Sequence, residues 1–238
     1  MKYAILMADI KSSSKKESRK LIFQFKQVVE EHNSIFKSVI LSPITITLGD
    51  EFQGIIKTKA DAIKIIFKIE EFIIEKEFKF KFRYSLNYGE IETKINNKVA
   101  YEMLGSGLTD ARASLVNIKK SDTRFFVLLR SGVEDYVNKA FIIYQSIVDS
   151  WKPKDLKIVS EFLKIGDYKL VAKKIKIDVS SAWRRKKSLH INEYLAIKEI
   201  IIKLIVNFTV FRYIKNYFST TQVTKAEKPF CYLLYFNY

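Results

Sequence analysis

The stretch Ile46-Thr47-Leu48-Gly49-Asp50-Glu51-Phe52-Gln53-Gly54-Ile55-Ile56 decides the fold. Two apolar, β-rich runs meet at Gly49-Asp50-Glu51, and a Gly-Asp pair between such runs predicts a hairpin with strands over 39–48 and 52–56. Pro43 cannot donate to a ladder, so the first strand starts late or lies at a sheet edge. About forty residues upstream, Ala4-Ile5-Leu6-Met7-Ala8-Asp9-Ile10 alternates too little to face water on one side. It predicts a central strand that delivers Asp9 at its carboxyl end, where sheet ligands bind. Side by side, strand and hairpin would unite the carboxylates of Asp9 and Asp50, with Glu51 adjacent, an arrangement that holds a divalent ion for nucleotide phosphates. Taken alone, Asp50-Glu51 is chemically ordinary, because Gly-Asp is a common turn pair.

Outward from these elements, Leu21, Phe25, Val28, Val29, His32, Ile35 and Phe36 recur at three and four and predict an amphipathic helix over 17–36. A second helix is expected over 60–75, with Asp61 in its first turn. Residues 78–88 alternate strictly, Phe78-Lys79-Phe80-Lys81-Phe82-Arg83-Tyr84-Ser85-Leu86-Asn87-Tyr88, predicting a half-exposed strand with one aromatic and one largely cationic face. A Gly-rich segment at Gly105-Ser106-Gly107, a helix over 108–117, a strand over 124–129 and a helix over 131–149 follow. The order βαββαβ with a trailing αβα is that of an α+β, ferredoxin-like sheet with additions. Trp151-Lys152-Pro153 marks a domain boundary, since proline follows the helix and the composition turns basic.

With 238 residues and 48% hydrophobic content the chain can bury a core. The net charge of +16 favours an anionic partner. Residues 151–190 carry twelve Lys and Arg against four Asp and Glu, half of that net charge in a sixth of the chain. One cysteine, Cys231, cannot form an internal disulfide; with two His it leaves no zinc site. No signal-peptide pattern precedes the first strand, so a cytosolic protein is expected. The apolar run 200–211 is interrupted by Lys203 and Asn207 and closed by Arg212, which predicts a buried or dimer-forming helix rather than a membrane span. Residues 220–238 have no clear period.

Within the basic segment, residues 168–187 have the pattern of a helix-turn-helix. Ala172 is small where two helices cross, Ile175 and Ile177 fill the core around the turn, Asp178 caps the second helix and Ala182 packs inward. Ser180, Ser181, Trp183, Arg184, Arg185 and Lys187 would then face double-stranded DNA, with Arg184 the best placed for a base. Lys176 stands where such turns usually have Gly, a costly but tolerable left-handed position. A plain basic helical hairpin, or one that only packs on the first domain, is the alternative. A long helix over 191–218 offers Leu195, Ile201, Leu204, Ile205, Phe208 and Phe211 for burial, and a homodimer would pair two recognition helices on a two-fold site.

Tyr3 to Ile10, Thr47 to Phe52, Phe82 to Ile91 and Gly105 to Leu115 resemble, in order, the four signatures of class III nucleotidyl cyclases. With its basic helical C-terminus the whole chain is most similar to the SatD family. The resemblance implies a cyclase-like domain over 1–150 and a basic helical domain over 151–238. In cyclases the first-strand Asp and the hairpin Asp ligate two divalent ions, Mg or Mn, which implies Asp9 and Asp50, with the Ile10 carbonyl beside them; Glu51 is a further ligand candidate, as in the related diguanylate cyclases. Lys11, Ser12 and Ser13 would surround the phosphates of a nucleoside triphosphate, with Gly49 at the turn. The Ser12-Ser13-Ser14 run would serve equally as a helix cap. The chain departs from the cyclase pattern at Ile46, where a base-reading Lys is usual, and at Thr109 and Ala113, where an Asn and a charge-stabilising Arg are usual. Loss of that Arg is expected to cost about 10³ to 10⁵ in rate. The implied function is therefore a regulatory protein that binds a metal-nucleotide and DNA. An active nucleotidyl cyclase or nucleotidyltransferase using Arg83, Arg112 or Arg124 as stabiliser is the alternative.

Overall fold

β1 (Lys2–Lys11) is apolar on both faces because it lies in the middle of a sheet covered on both sides: residues 4–10 are all buried. The computed structural model describes residues 1–11, 18–47 and 49–220. After β1 come α1 (Ser18–Ile35), β2 (Ile40–Ile46), β3 (Glu51–Ile56), α2 (Lys59–Glu75), β4 (Lys81–Glu90), α3 (Ser106–Ile118), β5 (Phe125–Leu128) and α4 (Glu134–Ser150). The five strands are ordered β2-β3-β1-β4-β5, antiparallel except for the β4/β5 pair. The element order matches the βαββαβ reading with its αβα extension, and Pro43 sits in an edge strand whose register slips on either side of Ser42.

Alternation along β1 divides the core. Ala4, Leu6, Ala8 and Ile10 join α1 and α2 in one apolar cluster, where Phe25, Phe52 and Phe82 meet at centroid distances of 5.4 to 6.1 Å. Ile5 and Met7 join Ala111, Leu115 and Ile118 of α3 on the opposite face. Thr58 caps α2, its hydroxyl accepting from the Asp61 amide at 3.0 Å. One expectation needs correcting. β4 is not half-exposed: it is paired on both edges, and α3 covers its polar face, so residues 84–87 are all buried.

A 3-10 turn at Pro153–Asp155 follows the expected boundary and leads to α5 (Leu156–Ile165), α6 (Tyr168–Ile175), α7 (Val179–Ser188) and α8 (Ile191–Thr220). These helices continue the larger apolar cluster, with Val159, Phe162, Val171, Ala182, Ile191, Tyr194 and Ile201 in it. The Trp151 indole N–H donates to the Leu189 carbonyl at 2.8 Å, and its ring lies 5.3 Å from that of Tyr194. Lys198 pairs with Glu71 of α2. Ile201 and Ile205, offered by sequence to a second copy, are buried within the chain; the side chains of Phe208 and Phe211 lie outside those described.

Between sheet and helices, Arg124 is fully buried. Its guanidinium donates to Glu70 at 2.8 and 3.2 Å, to Asp149 at 3.1 Å and to the Phe82 carbonyl at 2.7 Å. The Tyr84 hydroxyl donates to the same Glu70 at 2.9 Å. The burial of one cation is thereby compensated by two carboxylates and a carbonyl. Among the described residues, no helix is long and apolar enough to cross a membrane.

Candidate functional site

Sheet register assembles the site. Asp9 lies opposite Glu51 of β3 on one side and Arg83 of β4 on the other, and by parity all three face α3. The α3 helix lays Arg112 and Lys119 over the same end of the sheet, seven residues apart and therefore on one helical face. Arg83 grips Asp9 through two parallel bonds, Nε to Oδ1 at 3.0 Å and Nη2 to Oδ2 at 2.9 Å. Lys119 bridges the two carboxylates, 2.7 Å from Glu51 Oε1 and 3.3 Å from Asp9 Oδ2, and Arg112 closes the cluster on Glu51 Oε2. Asp9 is 1% exposed, whereas the Arg112 and Lys119 side chains are 39% and 34% exposed, so the cations form the solvent side.

Burial pushes the Glu51 carboxyl up, but Lys119 and Arg112 outweigh it and hold the group below the ordinary carboxylate range. Burial likewise pushes Lys119 down, and its contacts with Glu51 and Asp9 raise it above the usual lysine value. Glu51 and Lys119 are therefore both charged at neutral pH. Close by, the Ser85 hydroxyl and the Asn87 side-chain oxygen, on the α3 face of β4, are buried with no hydrogen-bond partner among the described residues.

Asp9, Glu51, Arg83 and Arg112, all nominated from sequence, meet here. Asp50 does not join them: Asp9 is opposed by Glu51, while Asp50 is exposed at the turn and contributes its carbonyl to the Ile10 amide at 3.0 Å. Gly49 is exposed at the same turn, with φ of 74°. Lys11 lies on the Asp9 face two residues further along β1. Ser12 and Ser13 lie outside the described residues. Arg124 is excluded as a charge stabiliser, because it is sealed against Glu70 and Asp149 away from the cluster. Lys119 is the member that sequence reasoning missed. Its spacing from Arg112, with Ala111, Leu115 and Ile118 turned inward, is the signal that would have found it.

The expected divalent ion does not fit this arrangement. All four carboxylate oxygens of Asp9 and Glu51 already accept from cations, and three cations face two anions. No group of three or more His, Cys, Asp or Glu that could hold a metal occurs among the described residues.

On α7, Ser180, Trp183, Arg184 and Lys187 are exposed, Ser181 is half-buried and Ala182 packs inward. Lys187 Nζ lies 4.0 Å above the Trp183 ring. Arg185 pairs with the buried carboxylate of Asp155, which ties α7 to the start of α5 while leaving the arginine side chain partly open to solvent. The turn between α6 and α7 places Lys176 at φ 58°, ψ 53°, the left-handed conformation expected for it. Ile177 is 36% exposed rather than core, and Asp178 stands at the N-cap position without a side-chain cap bond.

The fold and site define a mixed α+β protein whose five-stranded sheet carries a cation-rich ionic cluster at one end. The chain belongs to the SatD family, whose model matches residues 3–205. No curated protein matches it. Among solved structures it is similar to a bacterial light-regulated adenylyl cyclase at 15% identity, over 53% of this chain and 42% of that one, with a TM-score of 0.40. It is also similar to the catalytic core of a rhodopsin-guanylyl cyclase with converted specificity in complex with ATPαS, at 18% identity over 47% and 70% of the two chains, with a TM-score of 0.32. The chain spans less than half the length of the first of these.

Proposed function

We propose that this SatD-family protein is a regulator that binds a nucleotide through its phosphates at the Asp9–Glu51–Arg83–Arg112–Lys119 cluster, in a unit formed by residues 1–150. The observation that carries this is the convergence of three cations from β4 and α3 on one end of the sheet, two of them partly open to solvent. A guanidinium presents a fork that matches a phosphate, and Lys adds a point charge beside it. Calorimetric titration of ATP, GTP, CTP and UTP into the whole chain tests it. Saturable binding of at least one nucleotide is expected, with Arg112→Ala weakening it about tenfold, the loss of roughly one charge-assisted hydrogen bond. Silence for all four, with and without manganese, would sink the proposal.

In a second unit, residues 151–238, α7 is the DNA-facing element. Exposed Trp183, Arg184 and Lys187 beside a tight interhelical turn support this, in a segment that carries half the net charge. A homodimer would give two copies of α7 for a two-fold site. Nucleotide occupancy would bias this binding. The rival enzymatic reading, a nucleotidyl cyclase or nucleotidyltransferase, draws on Arg112 at the cluster as a nonstandard charge stabiliser. Product formation from a nucleoside triphosphate distinguishes the two.

A further inference from the structure

In the ionic cluster every carboxylate oxygen already has a cationic partner, and the donors are in surplus. Arg83, Arg112 and Lys119 together carry about thirteen N–H donors, while every carboxylate oxygen of Asp9 and Glu51 is already engaged. A hard divalent ion takes oxygen ligands, and holding it on the protein requires one or two carboxylates not already engaged by cations. Here it would have to displace Arg83 from a two-bond grip on a buried carboxylate and Lys119 from its bridge, and then sit beside both. An anion meets the opposite situation: unspent donors, a net positive cluster, and Lys11 on the same face with no ion-pair partner among the described residues.

We propose that the site takes the phosphates of its nucleotide directly on Arg83, Arg112 and Lys119, with no divalent ion between protein and ligand. This rests on the nucleotide reading above and says how that ligand is held. The guanidinium and ammonium groups engage the carboxylate oxygens that would have to ligate a metal, and Asp9 and Glu51 act as positioning residues that fix the three cations. The buried hydroxyl of Ser85, two residues from Arg83 on the same face of β4, is a further uncommitted donor.

The two modes predict opposite responses when one carboxylate loses its charge. A metal-mediated site loses a ligand in Glu51→Gln, whereas a cationic site becomes more positive: the single amide oxygen still accepts from Lys119, and Arg112, now facing the amide NH2, is released to the phosphate. The experiment is calorimetric titration of the intact chain and of Glu51→Gln with ATP, GTP, CTP and UTP, once in EDTA and once in manganese, with circular dichroism to confirm that the variant is folded. The expected result is affinity in EDTA within about tenfold of that in manganese, and no weaker in Glu51→Gln than in the parent. Binding that requires manganese and disappears in folded Glu51→Gln overturns this inference and leaves the nucleotide reading intact. An absence of binding for all four nucleotides in both buffers overturns the nucleotide reading and this inference together. Should Glu51→Gln be unfolded, the EDTA and manganese titrations of the parent decide alone.

Discussion

Glu51 is held below the ordinary carboxylate range because Lys119 and Arg112 outweigh the effect of its burial. Asp149 is depressed too, its burial outweighed by Arg124 and Lys81. A carboxyl whose folded pKa is lowered contributes stability that is fully present above its unfolded pKa and is lost as pH falls through the folded value. Thermal melts should therefore show Tm falling as the pH drops below about 4. Glu51→Gln, lacking one of these groups, should lose less over the same acid range. Parallel curves for the two proteins would contradict the assignment. At this scale the sequence was readable where a residue's place in its own element decides its role: Asp9 at the carboxyl end of a central strand, Glu51 in the hairpin. The Asp9–Arg83 grip was not readable, because it depends on the register between two strands separated by more than seventy residues, which no local pattern encodes.

The contact between β4 and α3 sets where Arg112 and Lys119 fall. It is unusually close because two glycines meet: a Cβ on Gly107 would lie 2.6 Å from the Gly89 carbonyl carbon and 2.8 Å from the Glu90 backbone. Backbone cannot turn aside as a flexible side chain can. Gly107→Ala should therefore destabilise the chain by about 1–3 kcal/mol, read from urea denaturation, and weaken nucleotide binding by shifting α3. A change within about 0.5 kcal/mol would mean that α3 can ride outward without loss. Most elements were legible from period and turn chemistry. α5 was not, since Leu156-Lys157-Ile158-Val159-Ser160-Glu161-Phe162-Leu163-Lys164-Ile165 is short and mixes apolar and charged residues in a way that fits helix and strand periods alike. The exposure of β4 was misjudged for a related reason. An alternating strand normally has a wet face, and only the arrival of α3 dries this one.

For the whole molecule, the apolar cluster that begins in β1 extends to Ile205, and Arg124, just before β5, ties α2 and α4 together beside it through Glu70 and Asp149. Removing the guanidinium leaves the buried Glu70 carboxylate uncompensated. Arg124→Ala is expected to cost about 3–5 kcal/mol of stability, read from urea denaturation monitored by circular dichroism. A loss below about 1 kcal/mol would mean that water replaces the guanidinium at little expense. None of this continuity was visible in the sequence, where composition separates residues 151–238 from the rest; burial follows from which faces meet, not from charge. The two tryptophans fall on either side of that distinction. Trp151 is sealed at the junction, bonded to Leu189 and tilted against Tyr194, while Trp183 stands out on α7 beneath Lys187. The chain thus carries two native indole fluorophores in contrasting surroundings, a shielded one that emits to the blue and registers loosening of the junction, and a wet one that emits to the red and registers whatever settles on α7.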